Sequence, residues 1–171
     1  MRYVKQQNGI DCGPVGILNA FKWLGYQVSA KSDLADLKKV CDCIRHGTTA
    51  YGMQQGLGFL EQAYNAKVGH FTFRKKFDIR SIEVQLQRGN AILLACGGHI
   101  WFLIGFSQSR KSLYIANASH NTAVRRLSRK RFHNLWKKTY GRRRYGWVVS
   151  KKPFSEWFKL KKALGVYRYT Q

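Results

Sequence analysis

The chain has 171 residues, of which 44% are hydrophobic, and a formal net charge of +23 at pH 7. This length suits one domain with a substantial core, and the hydrophobic content excludes a disordered chain. No apolar run approaches the roughly 20 residues that a membrane-spanning helix needs, and the polar N-terminus has no secretory signal. We therefore expect a protein that acts in the cytoplasm or in a particle assembled there.

The positive charge is concentrated in the C-terminal third. Residues 121–171 carry a net charge of +15, with a single acidic residue, whereas residues 1–120 carry +8. A field of this strength attracts polyanions such as nucleic acid, acidic lipid headgroups or acidic protein. The alternative is a surface that only keeps the protein soluble.

A helix is predicted to begin at Cys12 or directly after it. Pro14 suits its first turn, because the N–H that proline lacks has no intrahelical partner there, and Gly25 is a fitting stop. Apolar side chains recur on one face, at Val15, Ile17, Leu18, Phe21 and Leu24. The free N–H groups and the positive dipole end at a helix start favour a thiolate, the nucleophilic form of cysteine.

The loop before this helix carries two further candidate residues. Gln6, six residues before Cys12, could place an amide donor beside it and stabilise an oxyanion. The adjacent Gln7 is the alternative candidate for this role. Asp11 is expected to cap or orient the loop and to point away from the sulfur, because its charge would disfavour a thiolate.

Two more helices are predicted next. Ser32 begins one that continues through Ile44 and ends at Gly47, and Thr48 or Thr49 caps the other. The apolar face of the latter comprises Met53, Leu57, Leu60 and Tyr64. Its glycines favour close packing on the first helix. A strand over 68–73 and a helix from Asp78 to Gly89 follow.

The most apolar part of the chain predicts two buried central strands, over 91–96 and 99–106, separated by Gly97-Gly98. A third strand over 113–116 forms an antiparallel hairpin with the second. His99 therefore opens a central strand, and Asn117 ends its hairpin partner. We expect the hairpin to bring Asn117 near residue 99 or 100.

His99 and Asn117 are of residue types that suit general acid–base catalysis. A histidine at a strand end can face the helix that carries Cys12 and act as its general base. The Asn117 amide oxygen could accept the N–H of His99 and fix its tautomer. The alternatives are a core histidine held by a backbone carbonyl and an ordinary turn asparagine.

The order of these parts resembles the papain-like cysteine peptidases, in which a glutamine lies six positions before a cysteine that opens a helix. The string Asn-Gly-Ile-Asp-Cys-Gly at residues 8–13 also resembles the ubiquitin-like-protein proteases, but their histidine precedes the cysteine, and no histidine precedes Cys12. With His99 downstream, the order is similar to the bacteriocin-processing peptidase domains, which cut after double-glycine leaders.

That resemblance implies an α+β fold over residues 1–150, with N-terminal helices packed on an antiparallel sheet. Apolar and basic side chains alternate after Pro153, so residues 151–171 are predicted to be a basic amphipathic extension. The resemblance also implies hydrolysis of a peptide bond after small residues such as Gly-Gly, with no metal or other cofactor. The catalytic residues would be Cys12, His99, Asn117 and Gln6. The bacteriocin-processing enzymes usually have aspartate followed by proline where this chain has Asn117-Ala118, whereas papain uses asparagine.

The remaining cysteines are expected to be reduced. Cys41 and Cys43 lie two apart on a predicted helix and would point to different sides. With His46 they offer metal-ligand atom types, but they lack the second pair of a structural zinc site. We therefore expect no zinc.

The basic region also contains predicted structure. Ser128 can cap a helix with Phe132, Leu135 and Trp136 on one side, and residues 145–150 suit a last strand. Its cations could contact phosphates while aromatic rings stack on bases. They are Arg125, Arg126, Arg129, Lys130, Arg131, Lys137, Lys138, Arg142, Arg143 and Arg144. The alternative is a set of core aromatics beside a solvated basic face.

These observations lead to one main hypothesis and two alternatives. The main hypothesis is a cysteine peptidase that works on or beside nucleic acid, for instance in a virus or phage particle. The first alternative is a non-enzymatic nucleic-acid-binding or structural virion protein on a degenerate peptidase fold. The second is a peptidoglycan amidase, which uses a similar Cys–His pair.

Overall fold

A computed structural model describes residues 3–43, 47–65, 69–73, 79–96, 98–107, 109, 111–116, 124–138 and 146–151, with backbone alone for 69–73 and 137–138. The helices of this part are α1 (Cys12–Trp23), α2 (Ser32–Val40), α3 (Ala50–Ala63), α4 (Ile79–Gln87) and α5 (Arg129–Lys138). The strands are β1 (Gly69–Phe73), β2 (Ala91–Cys96), β3 (His99–Phe106), β4 (Ser112–Ala116), β5 (Val124–Ser128) and β6 (Gly146–Ser150).

The strands form one sheet in the order β1-β6-β2-β3-β4-β5, and every neighbouring pair is antiparallel. Helix α1 packs on one face of this sheet, and α2 and α3 pack against α1 and each other. Helices α4 and α5 cover the opposite face. The expected α+β fold, with N-terminal helices on an antiparallel sheet, is confirmed.

Strands β2 and β3 lie in the middle of the sheet and are buried on both sides. Along β3, Ile100 and Phe102 belong to the core layer beneath α1, whereas Trp101 and Leu103 belong to the layer beneath α4 and α5. Burial on both faces explains why these strands are continuous apolar runs rather than alternating ones.

Helix α1 begins at Cys12, as predicted, and is followed by Gly25 with a φ of +91°. The N-terminal segment is held along this helix by Asn19, which is fully buried. Its Oδ1 accepts the Val4 N–H at 2.8 Å, and its Nδ2 donates to the Val4 carbonyl at 3.0 Å. This clamp fixes the chain shortly before Gln6.

Two predicted helix caps are present. Thr49 Oγ1 accepts the Gly52 N–H at 3.0 Å and caps α3. Ser128 Oγ accepts the Arg131 N–H at 3.2 Å at the start of α5. The predicted positions at Val68, Asp78 and Tyr145 lie outside the described residues.

One prediction about the elements was wrong, and one strand was missed. Helix α2 ends at Val40 rather than Gly47, because the chain turns through Asp42 with a φ of +49°. Cys41 and Cys43 therefore follow the helix instead of lying on it. Strand β5 was not predicted, because its sequence Val-Arg-Arg-Leu-Ser buries only Leu127 and has no apolar alternation.

Candidate active site

The thiol of Cys12 lies where the start of α1 meets the start of β3. Cys12 is 5% exposed and shares a core layer with Ile100. The backbone N–H of Ile100 donates to the Cys12 sulfur. Gly16, one turn along α1, permits this close approach, since a Cβ there would lie 3.1 Å from a Leu93 methyl and 3.4 Å from one of Ile100.

Burial raises the pKa of the Cys12 thiol above its ordinary value, and the neighbouring Asp11 charge raises it further. The backbone N–H groups of Ile100, Gly13 and Cys12 itself act in the opposite direction and lower this pKa. The net shift is upward. The N–H groups at the helix start favour the thiolate, as expected, but the loss of hydration outweighs them.

The two adjacent glutamines differ in burial. Gln6 is 4% exposed, whereas Gln7 is exposed. The Gln6 Nε2 donates to the Asn8 carbonyl, and the Gln6 Oε1 has no hydrogen-bond partner within the described part of the chain. Asn8 Oδ1 in turn accepts the N–H groups of Ile10 and Asp11 at 3.1 and 3.0 Å. The loop before Cys12 is thus ordered by its own polar groups.

The Asp11 side chain pairs with a residue of another helix and does not cap α1. Asp11 is 1% exposed, and its side chain makes no cap hydrogen bond to α1. Its Oδ2 lies 2.8 Å from the Lys38 Nζ on α2. Of the two expected roles, capping is wrong because the carboxylate is paired with a cation on another helix.

His99 is the first residue of β3, half-buried, and opposite Cys96 in register. The N–H that donates to the Cys12 sulfur belongs to the next residue, Ile100. Alternation along β3 assigns residue 99 to the same side as Trp101. An imidazole paired with Cys12 must therefore turn around the end of the sheet, directly after Gly98, which has a φ of +75°.

Asn117 lies outside the described residues. It directly follows Ala116, the last residue of β4, which pairs with Phe102. The predicted role of Asn117 in orienting His99 stays a prediction.

Thr48 and Lys38 are two neighbours of the site that the sequence did not indicate. A Cβ at residue 13 would lie 2.2 Å from Thr48 Oγ1, so Gly13 is required for the 47–49 segment to pack on the start of α1. Thr48 Oγ1 also lies 2.8 Å from the Cys43 sulfur in a hydrogen bond. The Cys-Gly pair at 12–13 was the available signal for this close approach.

The four cysteines are free, which agrees with the expectation that they are reduced. Cys41 is fully buried and Cys43 half-buried. The zinc alternative depends on His46, which lies outside the described residues. Within them, no group of three or more His, Cys, Asp and Glu side chains is arranged to hold a metal ion.

Only some of the predicted cationic residues lie exposed on the described surface. Arg125 and Arg126 on β5, and Lys130 and Arg131 on α5, are exposed. Arg129 instead forms an ion pair with Glu83 of α4 at 3.2 Å, so it joins α5 to α4. An open cavity of about 320 Å³ lies beside this surface, lined by Ser128, Lys130, Arg131, Asn134 and Leu135. The side chains of Lys137 and Lys138, and all of Arg142, Arg143 and Arg144, lie outside the described part.

No known protein family and no curated protein matches the sequence, but solved structures match the fold. The peptidase domain of Streptococcus ComA, a bifunctional ABC transporter involved in a quorum-sensing pathway, is 22% identical with a TM-score of 0.59; the match covers 88% of this chain and 97% of that one. The peptidase domain of Streptococcus mutans ComA is 19% identical with a TM-score of 0.54, over 88% and 99%.

These likenesses establish the fold, and the resemblance inferred from the motif order is confirmed at that level. Within the described residues, no helix has both the length and the hydropathy to cross a lipid bilayer.

Proposed function

We propose that this chain, which has the fold of the ComA peptidase domains, is a cysteine peptidase whose nucleophile is Cys12. The main support is the contact of the Cys12 sulfur with the Ile100 N–H. It joins a helix start to the strand start that carries His99, and nucleophilic catalysis by cysteine needs a base within reach of the thiol.

In the proposed reaction, the imidazole of His99 takes the thiol proton of Cys12. The thiolate attacks the carbonyl carbon of the scissile peptide bond, and the imidazolium returns the proton to the leaving amine. Water, deprotonated by His99, then hydrolyses the thioester and releases Cys12. The Gln6 amide and the backbone N–H groups at the start of α1 stabilise the oxyanion, and Asn117 orients the imidazole.

The imidazolium also explains how the buried thiol could ionise. A positive charge beside the sulfur favours the thiolate and offsets the loss of hydration. We therefore expect iodoacetamide to label Cys12 well below the pKa of about 8.5 of a free thiol. A Cys43→Ser background restricts labelling to Cys12, because the other two cysteines are fully buried. His99→Ala should remove the fast labelling; an unchanged pH profile in that variant would contradict the Cys–His pair.

The activity test uses a library of peptides that contain Gly-Gly. We expect Cys12→Ala to reduce cleavage about a thousandfold or more while the protein stays folded. Cys43→Ser, which changes a thiol next to the site, is the matched control and should cleave at the wild-type rate. Equal cleavage by the Cys12→Ala protein would refute the assignment.

The same assays separate the alternatives. A peptidoglycan amidase would lyse cell walls and leave the peptides intact, whereas a non-enzymatic protein on this fold would show slow labelling of Cys12 with or without His99. Cleavage of the peptides supports the peptidase.

A second proposal concerns the cationic residues. We infer that the exposed cations of β5 and α5 bind the phosphate backbone of nucleic acid, so that the peptidase acts beside it, as it would in a virus or phage particle. The support is that Arg125, Arg126, Lys130 and Arg131 are exposed on adjoining elements, in a region with a net charge of +15.

Binding of a DNA duplex should weaken steeply between about 50 and about 200 mM salt. Replacing the four cations by glutamine should weaken binding and reduce the salt slope by about one for each phosphate that the variant no longer neutralises. Lys5→Gln/Lys31→Gln, which removes two exposed cations elsewhere, is the control and should bind normally. Absence of binding at low salt would refute this second proposal.

A further inference from the structure

The residue before Cys12 is an aspartate that behaves unusually for the start of a helix. Aspartate before the first helical residue normally accepts a hydrogen bond from the N–H of the second or third one. In α1 these residues are Gly13 and Pro14, and proline has no N–H. The Gly13 N–H is therefore the one donor of this kind, and Asp11 does not accept from it.

Lys38 accounts for that difference. Its ammonium lies 2.8 Å from the Asp11 Oδ2, and the Asp11 side chain is 2% exposed. The aspartate backbone is also near-helical, with φ −79° and ψ 7°, rather than the extended form of a regular capping residue. The carboxylate is thus directed to α2, while the Gly13 N–H contributes to lowering the pKa of the Cys12 thiol.

We propose that Lys38 is a positioning residue for the nucleophile. It holds the Asp11 carboxylate away from the first N–H groups of α1 and balances a buried negative charge next to Cys12. Those N–H groups can then donate hydrogen bonds to the Cys12 sulfur and to the oxyanion. This inference rests on the proposed function in one respect, namely that Cys12 is the nucleophile.

The described segments packed around Cys12 and Asp11 contribute three other charged or titratable groups to the site. Lys38 of α2 contacts Asp11, Cys43 belongs to the segment after α2, and His99 is the first residue of β3. The pKa of the half-buried Cys43 thiol is raised chiefly by burial; Cys12 and Asp11 add to that rise and Lys38 opposes it. The Lys38 charge is therefore felt across the site as far as Cys43, and it opposes the Asp11 charge there.

Substitutions of Asp11 and of Lys38 should shift the pH midpoint of Cys12 alkylation in opposite directions. Asp11→Asn removes the negative charge and should lower the pH midpoint of Cys12 alkylation by about one unit, a roughly tenfold faster reaction below the midpoint. Lys38→Met leaves the carboxylate unbalanced and free to accept the Gly13 N–H, so the midpoint should rise by about one unit. The double variant should return close to the wild-type midpoint, since neither charge remains.

The experiment measures iodoacetamide labelling against pH in the full chain carrying Cys43→Ser. Lys38→Arg keeps the charge and should retain the wild-type profile. Lys39→Met removes the neighbouring cation, which pairs with Asp36 on the exposed side of α2 at 3.5 Å, and should also leave the profile unchanged.

Opposite shifts in the two single variants, cancelling in the double variant, would support the positioning role. Shifts in the same direction, or no shift with Lys38→Met, would overturn it, because a merely structural pair loses the same packing from either side. The result is separable from the proposed function: the midpoint shifts can be measured in the His99→Ala background as well, where the proposed Cys–His pair no longer contributes.

Discussion

Burial acts on two thiols of this chain with different consequences at the residue scale. In Cys12 it opposes the thiolate that the proposed reaction needs, and N–H groups of the backbone partly offset it. In Cys41, which is fully buried against Gly56 of α3, it raises the pKa to about 12, and the nearby Cys43 adds to the rise. The first thiol lies at the edge of a core layer next to a histidine-bearing strand, and the second is a packing group.

The Cys41 thiol makes stability depend on pH. Because its folded pKa of about 12 exceeds the unfolded value of about 8.5, its contribution is complete below pH 8.5 and is lost as pH rises toward 12. Between pH 7 and pH 10 the wild type should lose about 2 kcal/mol of unfolding free energy through this one group.

Urea denaturation under reducing conditions measures that loss. A Cys41→Ala variant should be less stable at pH 7 because of the lost packing, but its stability should fall less between the two pH values. An equal fall in both proteins would show that Cys41 does not titrate as described.

At the element scale, the glycines of α3 divide into two kinds. A Cβ at Gly56 would lie 2.5 Å from the Cys41 sulfur and 2.8 Å from the Ile17 Cδ1, and one at Gly52 would lie 2.3 Å from the Cys41 carbonyl oxygen. A Cβ at Gly58 would meet nothing within 4 Å. The expected close packing on α1 is thus made by Gly56 alone, whereas Gly52 approaches the end of α2.

These positions give a matched pair of substitutions in one helix. Gly56→Ala should destabilise the fold by about 1–3 kcal/mol, because the core must shift to accept the methyl group. Gly58→Ala should stabilise it by about 1 kcal/mol, since alanine is the better helix former and the space is open. Thermal denaturation of both variants checks the signs, and destabilisation by Gly58→Ala would contradict the described packing.

For the whole molecule, the net charge of +23 has an energetic consequence apart from any partner. Like charges repel one another more in the compact state than in the unfolded chain, and salt screens that repulsion. On β5, an edge strand of the described sheet, exposed arginines also discourage pairing with other chains.

We expect sodium chloride to raise the melting temperature. A gain of about 1 kcal/mol corresponds to roughly 2–4 °C for a chain of this size. The variant with glutamine at Arg125, Arg126, Lys130 and Arg131 should show a smaller rise. A melting temperature that falls with added salt would mean that favourable ion pairs such as Asp11–Lys38 outweigh the repulsion.

Elements whose signals are local could be predicted from the sequence alone. The start of α1 at Cys12, the Thr49 cap, and the two central strands follow from turn residues, capping chemistry and apolar periodicity, which need no knowledge of distant contacts. Strand β5 has no such signal, because its arginines are exposed and pairing with β4 makes it a strand. The prediction for α2 extended too far because its periodicity carries on past Val40 while the backbone turns at Asp42.

The state of the candidate nucleophile and its neighbours depends instead on how distant segments pack. The chain order predicts Cys12 at a helix start, but the upward shift of its pKa comes from burial by segments distant in sequence, and the N–H of Ile100, which is also distant, opposes that shift. Likewise, the Asp11–Lys38 pair and the Thr48–Gly13 contact join segments whose proximity no local pattern encodes. Burial and charge pairing are set by which segments meet in space, so they become visible only when the helices are packed on the sheet.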